Sequence, residues 1–199
     1  SAIHDFVEET VFGSAVAWHA GALASAHLVF TLDRTAGPNG TLTSHVPVSD
    51  PFCEAVRARA PAVVVFKGPD GYVSSSWYSD RTSAPTWNFL VAEARGPLEP
   101  VERSVTARHL AELVRALEGR RAGAWRLDEI GHRFPSMLDR LLGFRIAVTD
   151  LQAKFKMHQD ERLAEVRDAI SGALRTGRPD LAELMGRFNA ARLRNEGGA

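Results

Sequence analysis

The chain has 199 residues, enough to bury a full hydrophobic core without a disulfide or a structural metal ion. Lys and Arg number 24, as do Asp and Glu, so no overall field favours an anionic membrane or a nucleic-acid partner. The single cysteine, Cys53, excludes an intrachain disulfide and a cysteine-cluster metal site. With no apolar run of about 18 residues and no signal-peptide pattern, we expect a soluble, cytoplasmic protein without membrane contact.

The N-terminal part of the chain predicts a helix followed by short strands. Residues 2–11 have helical spacing with acidic side chains on one side, and residues 13–33 hold two short apolar segments separated by a turn. The sequence GPNG at 37–40 predicts a hairpin turn, because Asn-Gly supplies positive φ angles, and the strand TLTSHVPV follows it. The next segment predicts a short helix with Asp50 as N-cap and Pro51 at its first position.

The remainder of the chain predicts long strands and three helices. AVVVFKG indicates a strand buried on both faces, and TWNFLVAEARGPLEPV indicates another long strand. Residues 104–120 predict an amphipathic helix, and GFRIAVTDLQAKFKMH predicts one final strand entered through Gly143. Two helices, over about 160–175 and 179–193, end the chain. About six strands without β-α-β alternation favour a mainly β fold with helices, built on an antiparallel barrel.

Four stretches of the sequence, in order, resemble motifs of the PaiB-like family of split β-barrel proteins. They are GTLTSHVPVSDP (40–51), FKGPDGYVSSSWY (66–78), PTWNF (85–89) and LLGFRIAVTDLQAKFKMHQDER (141–162). The similarity covers roughly residues 25 to 165. It implies a split antiparallel β-barrel of the FMN-binding type over residues 1–158 and a C-terminal helical extension over 159–199. It also implies a homodimer, with the extension packed on the barrel or on the partner subunit.

The resemblance leaves two planar cofactors open. Members of the family are commonly described as FMN-binding transcriptional regulators, but the heme-dependent piperazate synthase is also a relative. FMN carries a phosphate that a protein meets with cations, hydroxyls or a helix N-terminus. Val48 stands where the family pattern has an Arg, which disfavours FMN, although Lys67, Arg81 or Arg95 could substitute. We therefore predict heme b, with FMN as the alternative.

His45 is the predicted iron ligand. Imidazole is the usual axial ligand of heme, and His45 lies within the first matching motif, on the strand after the hairpin turn. His19, His27 and His158 are its competitors. His109 falls in a helix of ordinary amphipathic pattern and is given no role.

The aromatic residues between Lys67 and Phe89 form the second part of the predicted site. Trp77 and Trp87 could line a porphyrin, with Lys67 and Arg81 as partners of its propionates or of a substrate carboxylate. The alternative is that these aromatic rings fill the barrel and a dimer interface. Tyr72 and Phe89 are predicted to be core residues.

The predicted activity is the dehydrative cyclisation of an amino-acid substrate, N5-hydroxy-L-ornithine, to piperazic acid. Lys156, His158 and Tyr78 are the candidates for proton transfer, and Arg81 for holding the carboxylate. Lys154, Lys156 and His158 alternate, so on a strand they would share one face, as a substrate-facing wall or as a charge-protected edge. The alternatives are a PaiB-like FMN-binding regulator and a heme-binding split-barrel protein without this activity.

Overall fold

The structure, a computed structural model, describes residues 1–119 and 122–195. In chain order its strands are β1 (Phe12–His19), β2 (Ala22–Val29), β3 (Thr31–Asp33), β4 (Thr41–Pro47), β5 (Pro61–Val73), β6 (Thr86–Pro97), β7 (Glu99–Pro100), β8 (Leu141–Ala147) and β9 (Asp150–Lys156). Its α-helices are α1 (Ala2–Thr10), α2 (Phe52–Arg57), α3 (Arg103–Glu118), α4 (Phe134–Leu138), α5 (Leu163–Arg175), α6 (Pro179–Phe188) and α7 (Ala190–Asn195). Two 3₁₀ segments, Ser75–Trp77 and Leu127–Arg133, complete the regular structure.

Contacts within the chain define two compact units. The first comprises residues 1–66 and 92–152, and the second comprises residues 67–91 and the chain from 153 onward. The division predicted at residue 158 stays a prediction. None of the helices in the described part of the chain combines the length and the apolar character needed to cross a membrane.

The strands form two sheets, of order β2-β1-β5-β6-β9 and β3-β4-β8-β7. The pairs β1–β2, β1–β5, β3–β4, β4–β8 and β7–β8 are all antiparallel. In the core of the first unit, the Phe30 ring meets Phe66 and Phe144 edge-on, at centroid distances of 5.5 and 6.3 Å. Antiparallel sheets with helices, three of them at the C-terminal end, confirm the predicted fold class.

The helices and strands predicted in the N-terminal part of the chain are present, but the turns between them differ from the prediction. The chain between β3 and β4 is a seven-residue connection, residues 34–40, and its positive φ angles fall on Gly37 and Gly40. The Asp50 carboxylate accepts the Phe52 N–H at 2.8 Å, but α2 begins at Phe52 with Pro51 as its N-cap, so the predicted start of the helix, with Asp50 as N-cap, is one residue too early. In β5, Ala62, Val64 and Phe66 are buried and the residues between them only half-buried, so the prediction of two buried faces is wrong.

The predicted final strand is in fact two strands, β8 and β9, which belong to different sheets. The chain changes partners at Val148 and Thr149, whose N–H groups donate to the carbonyls of Gly40 and Arg95. Gly143 lies inside β8 rather than at its start. A continuous β pattern therefore concealed a change of sheet.

In the second unit, α5 and α6 pack through small and apolar side chains. Leu181 and Met185 of α6 are buried, and Gly172 of α5 lies directly against the Trp77 ring. The Asn189 amide, which is fully buried, donates to the Met157 and Met185 carbonyls at 2.8 and 2.9 Å. These bonds join the end of α6 to the chain that follows β9.

Candidate functional site

The candidate iron ligand, His45, lies near the middle of β4, opposite Gly143 of β8. Strand alternation buries the neighbouring Ser44 and Val46 and leaves His45 half-buried. A Cβ atom on Gly143 would overlap the Thr106 hydroxyl of α3, so glycine is required there for the close approach of the helix. This packing brings α3 beside His45.

The His45 ring is the end of a hydrogen-bonded chain. His45 Nδ1 lies 3.1 Å from His109 Nε2, and His109 Nδ1 lies 2.9 Å from Thr31 Oγ1 on β3. The His109 side chain is buried, with 1% exposed, and the two imidazole rings are tilted by 58° with centroids 5.2 Å apart. His45 Nδ1 is thus occupied by a protein partner, and Nε2 is the nitrogen left for a ligand.

Burial sets the charge state of both rings. It lowers the pKa of His45 below its ordinary value of 6.5, and burial, with a smaller effect of His45, lowers the pKa of His109 to about 4. Both imidazoles are therefore neutral near neutral pH. A neutral imidazole with one nitrogen hydrogen-bonded, and with no partner for the other among residues 1–119 and 122–195, has the arrangement typical of metal-binding histidines. The donor chemistry at His45 therefore fits heme iron.

His109 is the site residue that the sequence analysis missed. Its position on the buried face of α3 follows the same spacing as the core residue Leu113, so helical periodicity gives it no special character. The available signal was its residue type, because a histidine on the buried face of a helix needs hydrogen-bond partners.

Two of the competing histidines lie on the first sheet of the same unit. His27, on β2, is exposed, and its Nδ1 lies 2.9 Å from the Ser14 hydroxyl of β1. Its ring also stacks on Phe12, at a centroid distance of 6.4 Å. His19 ends β1. Neither shares the buried imidazole partner of His45.

The remaining predicted site residues all belong to the second unit: Lys67, Trp77, Tyr78, Arg81, Trp87, Lys156 and His158. Three side chains there form a buried network. Tyr78 Oη lies 2.7 Å from His158 Nε2, and the Asn88 amide lies 2.8 Å from His158 Nδ1. Burial raises the pKa of Tyr78 to about 12, while burial and, less strongly, Lys156 lower the pKa of His158. Tyr78 therefore keeps its proton, and His158 is neutral.

The structure does not place His158 on a strand face with Lys154 and Lys156, so that prediction is wrong. β9 ends at Lys156, and His158 has a φ of 64°, which turns its side chain into the protein. Lys156 stays on the strand and donates from Nζ to Thr86 Oγ1. Lys154 lies over the Phe89 ring, 5.7 Å from its centroid.

The two tryptophans have different surroundings. Trp77 packs against Gly172, where a Cβ atom would overlap its ring. Trp87 is 52% exposed, donates from Nε1 to Asp70 at 3.2 Å and lies beside Tyr72, at a centroid distance of 6.3 Å. Tyr72 is itself 50% exposed, so its prediction as a core residue is wrong. Lys67 forms an ion pair with Asp70.

Arg81 lies in an exposed loop that is anchored to α5 on both sides. The Ser79 N–H donates to Asp168 at 2.7 Å, and the Ser83 hydroxyl donates to Glu165. Glu165 is buried and also pairs with Arg162 at 2.6 Å, which with Ser83 lowers the pKa of Glu165 to about 2. A cation at position 81 is therefore held on a fixed segment.

Comparison with solved structures places the fold among split-barrel proteins. A FAD- and heme-binding protein from Mycobacterium smegmatis aligns with a TM-score of 0.55 and 17% identity, covering 78% of this chain and 70% of that one. A flavocytochrome from Azotobacter vinelandii aligns with a TM-score of 0.58 and 13% identity, covering 77% and 65%. At these identities the likeness shows the fold alone, and it confirms the split-barrel prediction.

The family follows from the sequence itself. Residues 1–150 match the family described as "Putative FMN-binding domain", so the chain belongs to that family. It is 29% identical over 187 residues to the protease synthase and sporulation protein PAI 2 of Bacillus subtilis (strain 168), covering 92% of this chain and 89% of that protein. An uncharacterised protein of Aspergillus fumigatus is 24% identical over 202 residues, covering 78% and 77%. The predicted PaiB-like family is confirmed.

Proposed function

We propose that the protein binds heme b through His45 and catalyses the dehydrative cyclisation of N5-hydroxy-L-ornithine to piperazic acid. The observation that carries the proposal is the His45 ring, which is neutral, half-buried and bonded through Nδ1 to a buried histidine. Nε2 then offers its lone pair to iron. The flavin and heme named for the split-barrel relative from Mycobacterium smegmatis are consistent with a planar cofactor on this fold.

Position 48 supports heme over FMN. The family pattern has an Arg there, and in this chain Val48 is 44% exposed and offers no charge to a phosphate. Two of the substitute cations already face carboxylates: Lys67 pairs with Asp70, and Arg95 pairs with Glu93 and Asp150. A flavin phosphate would therefore have to compete with these carboxylates for its counter-charge.

The proposed reaction needs no external oxidant or reductant. The N5–O bond of the substrate breaks, a bond forms between the α-nitrogen and N5, and one water leaves. Bound heme supplies a Lewis-acid iron that polarises the hydroxylamine. The protein must hold the open chain in a folded conformation, which removes an entropy cost of ring closure.

The reaction requires two proton transfers, one from the α-amine and one to the departing oxygen, and side chains of the protein would carry them out. The α-amine must be neutral to attack, and the departing oxygen must receive a proton. Tyr78 keeps its proton and is hydrogen-bonded to His158, so we propose the pair as a proton donor and its relay. Lys156 is the proposed base, and Arg81, on its anchored loop, the proposed partner of the substrate carboxylate.

FMN binding by a PaiB-like regulator is the second candidate. It is favoured by the description of the family that matches residues 1–150. In that case the protein would act as a homodimer with a regulatory partner. A heme-binding protein without the cyclase activity is the remaining alternative.

Absorption spectroscopy of the purified protein tests the cofactor. We expect an intense Soret band, and we expect His45→Ala to abolish it. His27→Ala is the matched control, because it removes an exposed strand histidine of the same unit, and it should leave the spectrum unchanged. A yellow protein with flavin fluorescence, or an unchanged Soret spectrum in His45→Ala, would reject heme ligation by His45.

Incubation of heme-loaded protein with N5-hydroxy-L-ornithine tests the activity. We expect a product lighter by one water, detected by mass spectrometry, and none with His45→Ala. Substrate recovered unchanged from heme-loaded protein would reject the cyclase and leave a heme-binding protein.

A further inference from the structure

We infer that His109 is a positioning residue for His45: anchored by Thr31, it fixes the orientation of the His45 ring and accepts a hydrogen bond from the Nδ1–H of His45 when Nε2 binds iron. The inference rests on the proposed function, since it assigns the residue behind the proposed iron ligand. It adds a residue of α3 to the surroundings of the iron ligand that the sequence predicted on the strand after the hairpin turn.

The contact between His45 and His109 has the geometry of a hydrogen bond. His45 Nδ1 and His109 Nε2 are 3.1 Å apart, a distance at which one N–H lies between the two rings. His109 is buried, so protein atoms alone reach its ring nitrogens, and each of them has a partner. Rotation of the His45 ring would break this bond and leave a buried nitrogen unpaired, which is costly.

Iron binding at Nε2 of His45 would set the direction of both hydrogen bonds. An iron-bound Nε2 carries no proton, so a neutral His45 then has its proton on Nδ1. Its Nδ1–H donates a hydrogen bond to His109 Nε2. His109 must consequently carry its own proton on Nδ1, where it donates to Thr31 Oγ1, 2.9 Å away. In this state His45, His109 and Thr31 each act as donor or acceptor without conflict. A strong acceptor behind the ligand also increases its basicity toward the metal.

Close packing of α3 on β4 and β8 supports the contact between the two histidines. His109 can reach His45 only because Gly143, opposite His45, lets Thr106 approach the strand pair closely. Thr106 and His109, one turn apart on α3, thus contact Gly143 and His45, which lie opposite each other on β8 and β4. The contact is built by packing on both sides and does not depend on an exposed side chain.

The test compares heme-loaded His109→Leu with the wild type by heme titration and by resonance Raman spectroscopy of the ferrous protein. We expect heme affinity to fall about tenfold to hundredfold, the usual effect of removing the partner of a ligand. The iron–histidine stretching frequency should fall as well, because the ligand loses its Nδ1 acceptor. His109→Gln, whose amide oxygen can replace Nε2 as acceptor, should restore most of both properties, and Thr31→Val should show a smaller loss.

Leu113→Ala is the matched control for stability, since it removes a buried side chain one turn further along α3. It should leave the stretching frequency unchanged. The inference fails if His109→Leu keeps the wild-type affinity and frequency, or if Leu113→Ala alters them equally. His45→Ala separates this failure from that of the proposed function: if it retains heme, the proposed ligand is wrong, whereas if it alone loses heme, only the role of His109 is wrong.

Discussion

At the scale of single residues, the buried histidines carry most of the chemical information. His109 and His158 are both buried, and in each ring both nitrogens have a hydrogen-bond partner. Buried polar groups are kept only when they are satisfied, and a pair of them specifies one arrangement of its surroundings. The hydrogen bonds that hold these two rings in place also decide which ring nitrogen carries the proton. A chemical role is therefore compatible with a structural one.

The hydroxyl of Tyr78 gives a direct test of this argument. In Tyr78→Phe, His158 Nε2 loses its partner inside the protein, and we expect the free energy of unfolding to fall by about 1–3 kcal/mol. Urea denaturation of the protein without cofactor measures it. The chain has two tyrosines, and Tyr72→Phe is the natural control, since Tyr72 is half exposed. Equal stabilities of the two variants would show that the hydroxyl contributes nothing to folding.

The sequence indicates His45 as a candidate ligand, but it does not indicate the hydrogen-bond partner of that ring. His45 stood out because a recognisable motif surrounds it, whereas His109 is 64 residues away and its contact depends on packing of α3 that no local pattern encodes. The prediction that His158 lies on a strand face with Lys154 and Lys156 is wrong for a local reason. Strand alternation was extended past Lys156, and the left-handed backbone at His158 turns the ring inward instead.

At the scale of elements, periodicity predicted most of the long helices and strands, but not α4, the division between α6 and α7, or which sheet each strand joins. The segment of β8 and β9 reads as one strand, yet β8 pairs with β4 and β7, while β9 lies at the edge of the other sheet. Strand partners are set by long-range contacts, which a pattern of period two does not contain. Helices were easier to predict, because α6, for instance, begins at Pro179, and proline at the first position of a helix is a common start signal.

Gly172 of α5 tests how one element packs on another. Replacing a helical glycine with alanine usually stabilises a helix by up to about 1 kcal/mol. At Gly172 the new methyl group would overlap the Trp77 ring, so we expect Gly172→Ala to destabilise the protein by about 1–3 kcal/mol. Gly186→Ala is the matched control, because nothing lies within 4 Å of its Cβ position on α6, and it should raise stability.

Thermal and urea unfolding of both glycine variants measures these changes. Tryptophan fluorescence should also shift in Gly172→Ala alone, because its ring contact is altered. Stabilisation by both substitutions would mean that the Trp77 ring can move away from α5 and is not tightly packed against Gly172.

At the scale of the whole molecule, net charge says little about stability, because the formal charge is zero and many surface charges are paired. Exposed ion pairs of this kind contribute little. The groups that matter are those whose pKa differs between the folded and unfolded states. In His45, His109 and His158 burial lowers the pKa, so all three favour the unfolded state in acid.

We therefore expect the free energy of unfolding of the cofactor-free protein to fall as the pH drops from 7 toward 5. Unfolded histidines, with an ordinary pKa of 6.5, take up protons before the folded ones do, so this stability is present above that value and lost below it. Glu165, lowered from 4.5 to about 2, adds a separate loss only at lower pH. Urea denaturation at successive pH values measures both.

His158→Gln should flatten the slope above pH 5, whereas His132→Gln, at an exposed position, should not. A wild-type slope that is flat or of opposite sign would show that these histidines do not become protonated on unfolding.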